Sequence, residues 1–190
     1  MSHFFIENMK TFLFVFDFDQ TLLEKNTDVD IQKLAPNGEI PKDIHDIAKS
    51  EGWTAFVNAC LKYFHEQNIS KDQIIEFIKN MPYVDGAVEM IKTLKHEYEA
   101  DIIIVSDANS VYIEESLKNA DIFECFSEIY TNPGEFTENG QLIVTPFTNQ
   151  TECKLSAINQ CKGKIVLDYI KDKDFSFICY AGTVLAIIYE

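Results

Sequence analysis

Thr11-Phe12-Leu13-Phe14-Val15-Phe16-Asp17-Phe18-Asp19-Gln20-Thr21-Leu22 decides the fold. The first half is an apolar run with the β-branched and aromatic content of a buried strand. The second half delivers two carboxylates, one residue apart, where that strand stops. In open α/β sheets, ligands bind beyond the carboxyl ends of the strands. Asp17 and Asp19 are therefore candidates for chemistry on a rigid base. Extended backbone through this point turns both side chains to the same side.

Outward from this stretch, residues 24 to 82 read as mainly helical. Trp53, Phe56, Val57, Cys60, Leu61 and Phe64 recur at spacings of three and four, which makes one apolar helix face. Trp53, Phe56 and Phe64 are read as core residues, with pocket lining the lesser alternative. Ser70 is an N-cap candidate for a second helix. An amphipathic helix is expected over 84–98, and the β-branched run Asp101-Ile102-Ile103-Ile104-Val105 predicts a buried parallel strand. Ser106-Asp107-Ala108-Asn109 would sit at its end. A helix over 111–120, a strand over 126–130, a hairpin turning at Asn139-Gly140, a helix over 162–171 and a last strand over 175–181 complete the pattern. Strand–helix alternation of this kind implies an α/β fold with a Rossmann-like parallel sheet and right-handed crossovers. The helical stretch after the first strand becomes an insertion over the sheet's carboxyl edge.

The chain has 190 residues and a net charge of −15. That length suits one domain with a small inserted subdomain. The negative charge argues against nucleic acid, whose phosphates need a basic surface, and against anionic membranes. Five cysteines without a CxxC pair fit reduced thiols better than a disulfide framework. The start, Met1-Ser2-His3-Phe4-Phe5, has no basic stretch or small-residue cleavage site, and no apolar run is long enough to span a bilayer. The expected location is cytoplasmic.

Three polar elements stand in order at strand or helix ends: Asp17/Asp19, Ser106 and Lys162. Together they resemble the haloacid dehalogenase (HAD) superfamily of phosphohydrolases. The stretches DFDQTLLEKNTD (17–28), SDAN (106–109) and NQCKGKIVL (159–167) are similar to those of the phosphoethanolamine/phosphocholine phosphatase family, which includes a pyridoxal-5′-phosphate phosphatase relative. The resemblance implies a HAD-like core from residues 1–23 and 83–190 and a helical cap from 24–82. It implies Asp17 as nucleophile, forming an aspartyl-phosphate, and Asp19 as the acid and base that serves the leaving oxygen and the water. Ser106 and Lys162 would bind the phosphoryl oxygens, and Asp28 and Asp107 would recognise the substrate's amine head. Mg2+ would be held by Asp17 and Asp19. The partner implied is a small phosphorylated metabolite: phosphocholine, phosphoethanolamine or pyridoxal 5′-phosphate.

One motif departs from the family. There, a Gly-Asp-Gly-x-Asn-Asp segment follows the last strand and completes the magnesium site. Here Cys179-Tyr180-Ala181-Gly182 leads into Thr183-Val184-Leu185-Ala186-Ile187-Ile188-Tyr189-Glu190. Asp172 and Asp174 precede the strand, and Glu190 reaches the site only if the tail folds back. Against the family the core is C-terminally incomplete, so the expectation is weak metal binding and little phosphatase activity. The alternative is a catalytically impaired relative that only binds phosphorylated ligands or a protein partner.

Overall fold

A computed structural model describes residues 11–182. The deciding stretch becomes β1 (Phe12–Phe16), followed by α1 (Thr27–Asp30), α2 (Lys42–Ser50), α3 (Trp53–Glu66), α4 (Lys71–Lys79) and α5 (Ala87–His96). Then come β2 (Asp101–Asn109), α6 (Ser110–Asn119), β3 (Glu128–Asn132), β4 (Gly134–Phe136), β5 (Leu142–Val144), α7 (Lys162–Ile170) and β6 (Phe177–Ala181). Four strands make one sheet in the order β3-β2-β1-β6, every pair parallel. An α/β fold is what this order and its connecting helices amount to.

Alternation along β1 sets the two faces. Leu13 and Val15, fully buried, join Ile103 and Val105 under Ile165, Val166, Tyr169 and Ile170 of α7. Phe16, Ile102 and Ile104 face the other way, into a larger core shared with α3, α4, α5 and α6. Among the described residues β6 is an edge strand, and Phe177 and Ile178 on it are exposed.

Helix starts follow local chemistry. Ser70 and Gln73 form a reciprocal capping box on α4, and the Asn109 side chain caps α6 by accepting the Tyr112 N–H. Helix α5 begins at Ala87, later than the periodicity suggests, because Gly86 at its N-cap has φ 79° and breaks the helical path. Strand β2 runs on to Asn109 instead of stopping at Val105. An irregularity between Val105 and Asn109 re-pairs Asn109 with Asn132, where the Thr131 hydroxyl donates to the Ala108 carbonyl and Asn132 Nδ2 to the Asp107 carbonyl. Strands β3 and β6 each start two residues later than the sequence pattern suggests. Phe175 packs against α7's face of the sheet, which leaves it outside the β6 ladder.

The helical stretch α1–α4 joins the sheet through paired linkers. Leu23 bridges Tyr83, the Glu24 N–H donates to the Pro82 carbonyl at 3.0 Å, and the Val84 N–H donates to the Leu22 carbonyl at 2.9 Å. A second attachment lies far from these. The hairpin β4–β5, which turns at Gly140 (φ 86°), docks on α3 through Asn58. Its Nδ2 donates to the Val144 carbonyl at 2.7 Å and its Oδ1 accepts the Val144 N–H at 2.9 Å. One amide thus satisfies a main-chain pair that the two-stranded hairpin leaves open. The five cysteines are free thiols, and among the described residues no helix is long and apolar enough to cross a membrane.

Asn58→Ala removes both bonds and leaves the Val144 main chain unpaired at a buried position. A loss of about 1–3 kcal/mol is expected, read as a lower urea midpoint with unchanged slope.

Candidate active site

The period-two alternation that buries Leu13 and Val15 beneath α7 carries the next residue of that set, Asp17, to the same side. There Lys162 opens α7. The two meet across 145 positions of sequence: Lys162 Nζ donates to Asp17 Oδ2 at 2.6 Å. Oδ1 of Asp17 accepts the Phe18 N–H at 2.8 Å, and the Asp17 N–H donates to the Ala181 carbonyl at 2.9 Å, which prolongs the β1–β6 ladder by one rung. Both carboxylate oxygens and the backbone beneath are therefore fixed. Lys162 also lies 3.6 Å from Asp107 Oδ2. Burial pulls the lysine pKa down, but Asp17 and then Asp107 outweigh it and leave the ammonium above its ordinary range. Asp107 is itself held by Asn159, whose Nδ2 donates to its Oδ1 at 3.0 Å.

Asp19 goes elsewhere. The extended path ends at Phe16, and a turn built on the Phe18 carbonyl, which accepts the N–H groups of Thr21, Leu22 and Leu23, takes over. Asp17 and Asp19 consequently do not share partners, as unbroken extended backbone would have them do. Asp19 turns to the start of α1, where its Oδ1 accepts the Thr27 N–H and its Oδ2 the Thr27 hydroxyl, both at 3.0 Å. Its pKa is pushed up to about 8, first by burial and next by Asp28, with the two Thr27 bonds pulling down and Asp17 adding a smaller upward push. A carboxyl that keeps its proton at neutral pH is suited to donate it.

Asp28 is buried, and Trp53 Nε1 donates to its Oδ2 at 2.8 Å. Burial raises its pKa to about 6 against the opposing pull of the Trp53 bond, with Asp107 pushing further up. Trp53 is thus not a core residue. It is 45% exposed, while Phe56 and Phe64 are buried as expected. Position explains it: Trp53 opens α3 right after Gly52, at the end of the apolar face, and an indole N–H seeks an acceptor. Asp28, Trp53, Asp107, Asn109 and Asn132 line a cavity of about 10 Å³, which holds about one water. An amine head group would enter only if this wall opened.

Ser106 is buried near the carboxyl end of β2, with its hydroxyl accepting the Ala108 N–H at 3.3 Å, and it is not hydrogen-bonded to Asp17 or Lys162. Of the residues singled out in sequence, the fold thus joins Asp17, Lys162 and Asp107 in one ion cluster. It places Asp28 and Asp107 on one cavity wall and gives Asp19 a partner of its own. Thr27, Asn159 and Trp53 complete the arrangement. Only the first had a local signal: Asn26-Thr27-Asp28 reads as an N-cap followed by a first turn whose N–H groups need acceptors. The tail from Thr183, Glu190 included, lies outside the described residues.

A family model described as "Putative Phosphatase" matches residues 12–183. Pyridoxal phosphate phosphatase PHOSPHO2 of Homo sapiens is 31% identical over 176 residues, covering 90% of this chain and 73% of its own length. Phosphoethanolamine/phosphocholine phosphatase of Gallus gallus is 27% identical over 177 residues, 90% of this chain and 66% of its own. A solved phospho-aspartyl intermediate analogue of phosphoserine phosphatase shares the fold, with a TM-score of 0.58 at 19% identity over 88% of this chain and 74% of that one.

Asp28 has a raised folded-state pKa, so the native state holds its proton over a window in which the unfolded chain has lost it. Stability therefore falls as pH rises from about 4 to about 6, by about 3 kcal/mol between the limits. Asp28→Asn keeps an oxygen for Trp53 and removes the charge. Unfolding midpoints of the two proteins should coincide near pH 4 and separate in favour of the variant by pH 7; parallel curves would refute the assignment.

Proposed function

Because the chain belongs to the Putative Phosphatase family of the haloacid dehalogenase superfamily, we propose that it is a magnesium-dependent phosphomonoester hydrolase working through an aspartyl-phosphate on Asp17. The observation that carries the reading is the 2.6 Å contact of Lys162 with Asp17. It brings a nucleophile candidate from the end of β1 against a cation from the start of α7, at the sheet's carboxyl edge. Residues 24–82 would form the cap over that edge.

Asp17 would attack phosphorus through Oδ2, its Oδ1 staying on the Phe18 N–H. A bond forms between Asp17 and phosphorus while the bond to the leaving oxygen breaks, and Asp19 supplies that oxygen's proton. Asp19 then takes a proton from the water that releases phosphate. Lys162 follows the charge from the carboxylate onto the phosphoryl oxygens, with Ser106 and neighbouring N–H groups as donors. The substrate would be a small phosphorylated amine or pyridoxal 5′-phosphate, its cationic part facing Asp28 and Asp107.

Magnesium takes hard oxygen ligands. The Asp17 carboxylate and the Asp19 main-chain carbonyl fit it in kind. Among the described residues no cluster of three or more His, Cys, Asp or Glu side chains able to hold a metal joins them, so water and substrate oxygens would supply the rest of the shell. When bound, the ion would offset repulsion between a carboxylate and a phosphate dianion. A second reading is an impaired relative that binds phosphorylated ligands without turning them over.

Phosphate release from pyridoxal 5′-phosphate and phosphocholine, with and without magnesium, tests both. Under the first reading it depends on the metal and drops on the order of 10³-fold or more in Asp17→Asn. Thermal stabilisation by magnesium with orthovanadate, without turnover of either ester, decides for the second.

A further inference from the structure

We infer that Asn159 is a positioning residue for Asp107: it holds that carboxylate off Lys162 and so keeps its charge for a cationic group on the ligand. The inference rests on the reading of Asp107 as a contact for the cationic part of a phosphorylated ligand. Asn159 stands three positions before Lys162, in the segment that delivers the lysine to Asp17. Its Nδ2 carries two N–H groups, and both are used. One donates to Asp107 Oδ1 at 3.0 Å, the other to Asn132 Oδ1 at 3.2 Å. Asn132, buried at the end of β3, is fixed in turn. Its Nδ2 donates to the Asp107 carbonyl at 2.6 Å, and its Oδ1 also accepts the Phe147 N–H at 3.0 Å. Main chain and side chain of Asp107 are thus held by two asparagines that hold each other. Anchoring the loop does not require the Asn159 amide, because its main-chain carbonyl already accepts the Thr148 N–H at 2.8 Å and the Thr148 hydroxyl at 3.0 Å.

What the amide decides is where the carboxylate faces. Asp107 Oδ2 stays 3.6 Å from Lys162 Nζ, beyond a direct hydrogen bond, while Asp17 Oδ2 has the ammonium at 2.6 Å. The Asp107 side chain is 48% exposed, so burial does not fix its rotamer and the Asn159 bond does. Released, it closes on Lys162 as a full ion pair. Two effects follow. The ammonium, divided between two carboxylates, offers less to a phosphoryl oxygen, and the charge of Asp107 is neutralised for any ligand cation. Asp107 also lines the small cavity with Asp28 and Trp53, so the same carboxylate borders the phosphate end and the cationic end. An amide suits this post. It donates to a carboxylate without bringing a positive charge that would repel the ligand's own.

Calorimetric titration of the full chain with two non-hydrolysable phosphonates tests this. One is a propylphosphonate ending in trimethylammonium; the other ends in tert-butyl, with the same shape and no positive charge. The ratio of their dissociation constants reads the cationic end and cancels whatever both lose at the phosphate end. In the wild type the cationic compound is expected to bind about 5- to 20-fold more tightly. Asn159→Ala lowers that preference about threefold or more, Asp107→Ala lowers it at least as much, and adding Asn159→Ala to Asp107→Ala changes it no further, as expected of a residue that acts through another. Weaker binding of both phosphonates in Asn159→Ala with the ratio intact marks a structural role only and overturns the inference. Losses of the ratio that add in the double variant overturn it too, as does a wild type without the preference. If Asn159→Ala does not fold, Asn159→Leu, of like size and without a donor, takes its place. Phosphate release from phosphocholine is measured alongside. Its absence in a wild type whose cation preference depends on Asn159 overturns the phosphatase reading and leaves this inference supported.

Discussion

Enclosure of β1 between two parallel neighbours is the constraint from which the site follows. Its register is fixed because a slip of one residue would exchange its two faces. With Leu13 and Val15 committed to the α7 side, Asp17 has one direction open to it, and α7 begins there with Lys162. The hydrogen bond from the Asp17 N–H to the Ala181 carbonyl extends the ladder under the carboxylate, so its position is set by sheet pairing and not by loop preference. Helix α7 in turn is held by the apolar residues it lays over the sheet. The ion contact of Asp17 with Lys162 is thus a product of hydrophobic burial several residues away on both partners.

Departure from that ladder matters as much. Gln20, with φ 55°, sits in the turn that ends the extended path, and the turn hands Asp19 to a helix instead of to the lysine. Asp17 and Asp19 therefore live in different environments although one residue separates them. One faces an ammonium. The other faces only neutral donors, and burial with the negative field of Asp28 pushes its pKa up to about 8.

Local signals made part of this legible in the sequence. Strand β1, the start of α7 at Lys162 and the turn at Asn139-Gly140 each follow from residues adjacent in the chain. What escaped depends on groups that meet only in space. Asn58 reaches Val144 across 86 positions and Asn159 reaches Asp107 across 52, and an asparagine in a sequence carries no mark of which main chain it will satisfy. Helical periodicity assigns Trp53 to the apolar face, while its place at the first turn lets its N–H find Asp28 and sets it on the cavity wall, the lesser alternative of the sequence reading. The longer β2 was missed for a related reason: Asn132 and Thr131 on the neighbouring strand draw Ala108 and Asp107 into line.

Charge balance sets what this arrangement can receive. Against four carboxyl groups (Asp17, Asp19, Asp28 and Asp107) stands Lys162, which touches two of them, Asp17 and Asp107. Were all four ionised, these five groups would present a phosphate dianion with a net charge of about −3, a repulsion that low dielectric makes severe. Retention of a proton by Asp19 removes one of those charges at neutral pH, and does so without a basic side chain that would compete for Asp17. Asp28 is different, since its pKa of about 6 leaves it mainly ionised at pH 7, buried and facing only an indole N–H. A buried carboxylate with so little compensation is costly to keep. A cationic group on an incoming ligand would offset that cost and reduce the repulsion of its own phosphate. On this reasoning, acidity around the small cavity and attraction of an anion are compatible only for a ligand that carries both signs of charge.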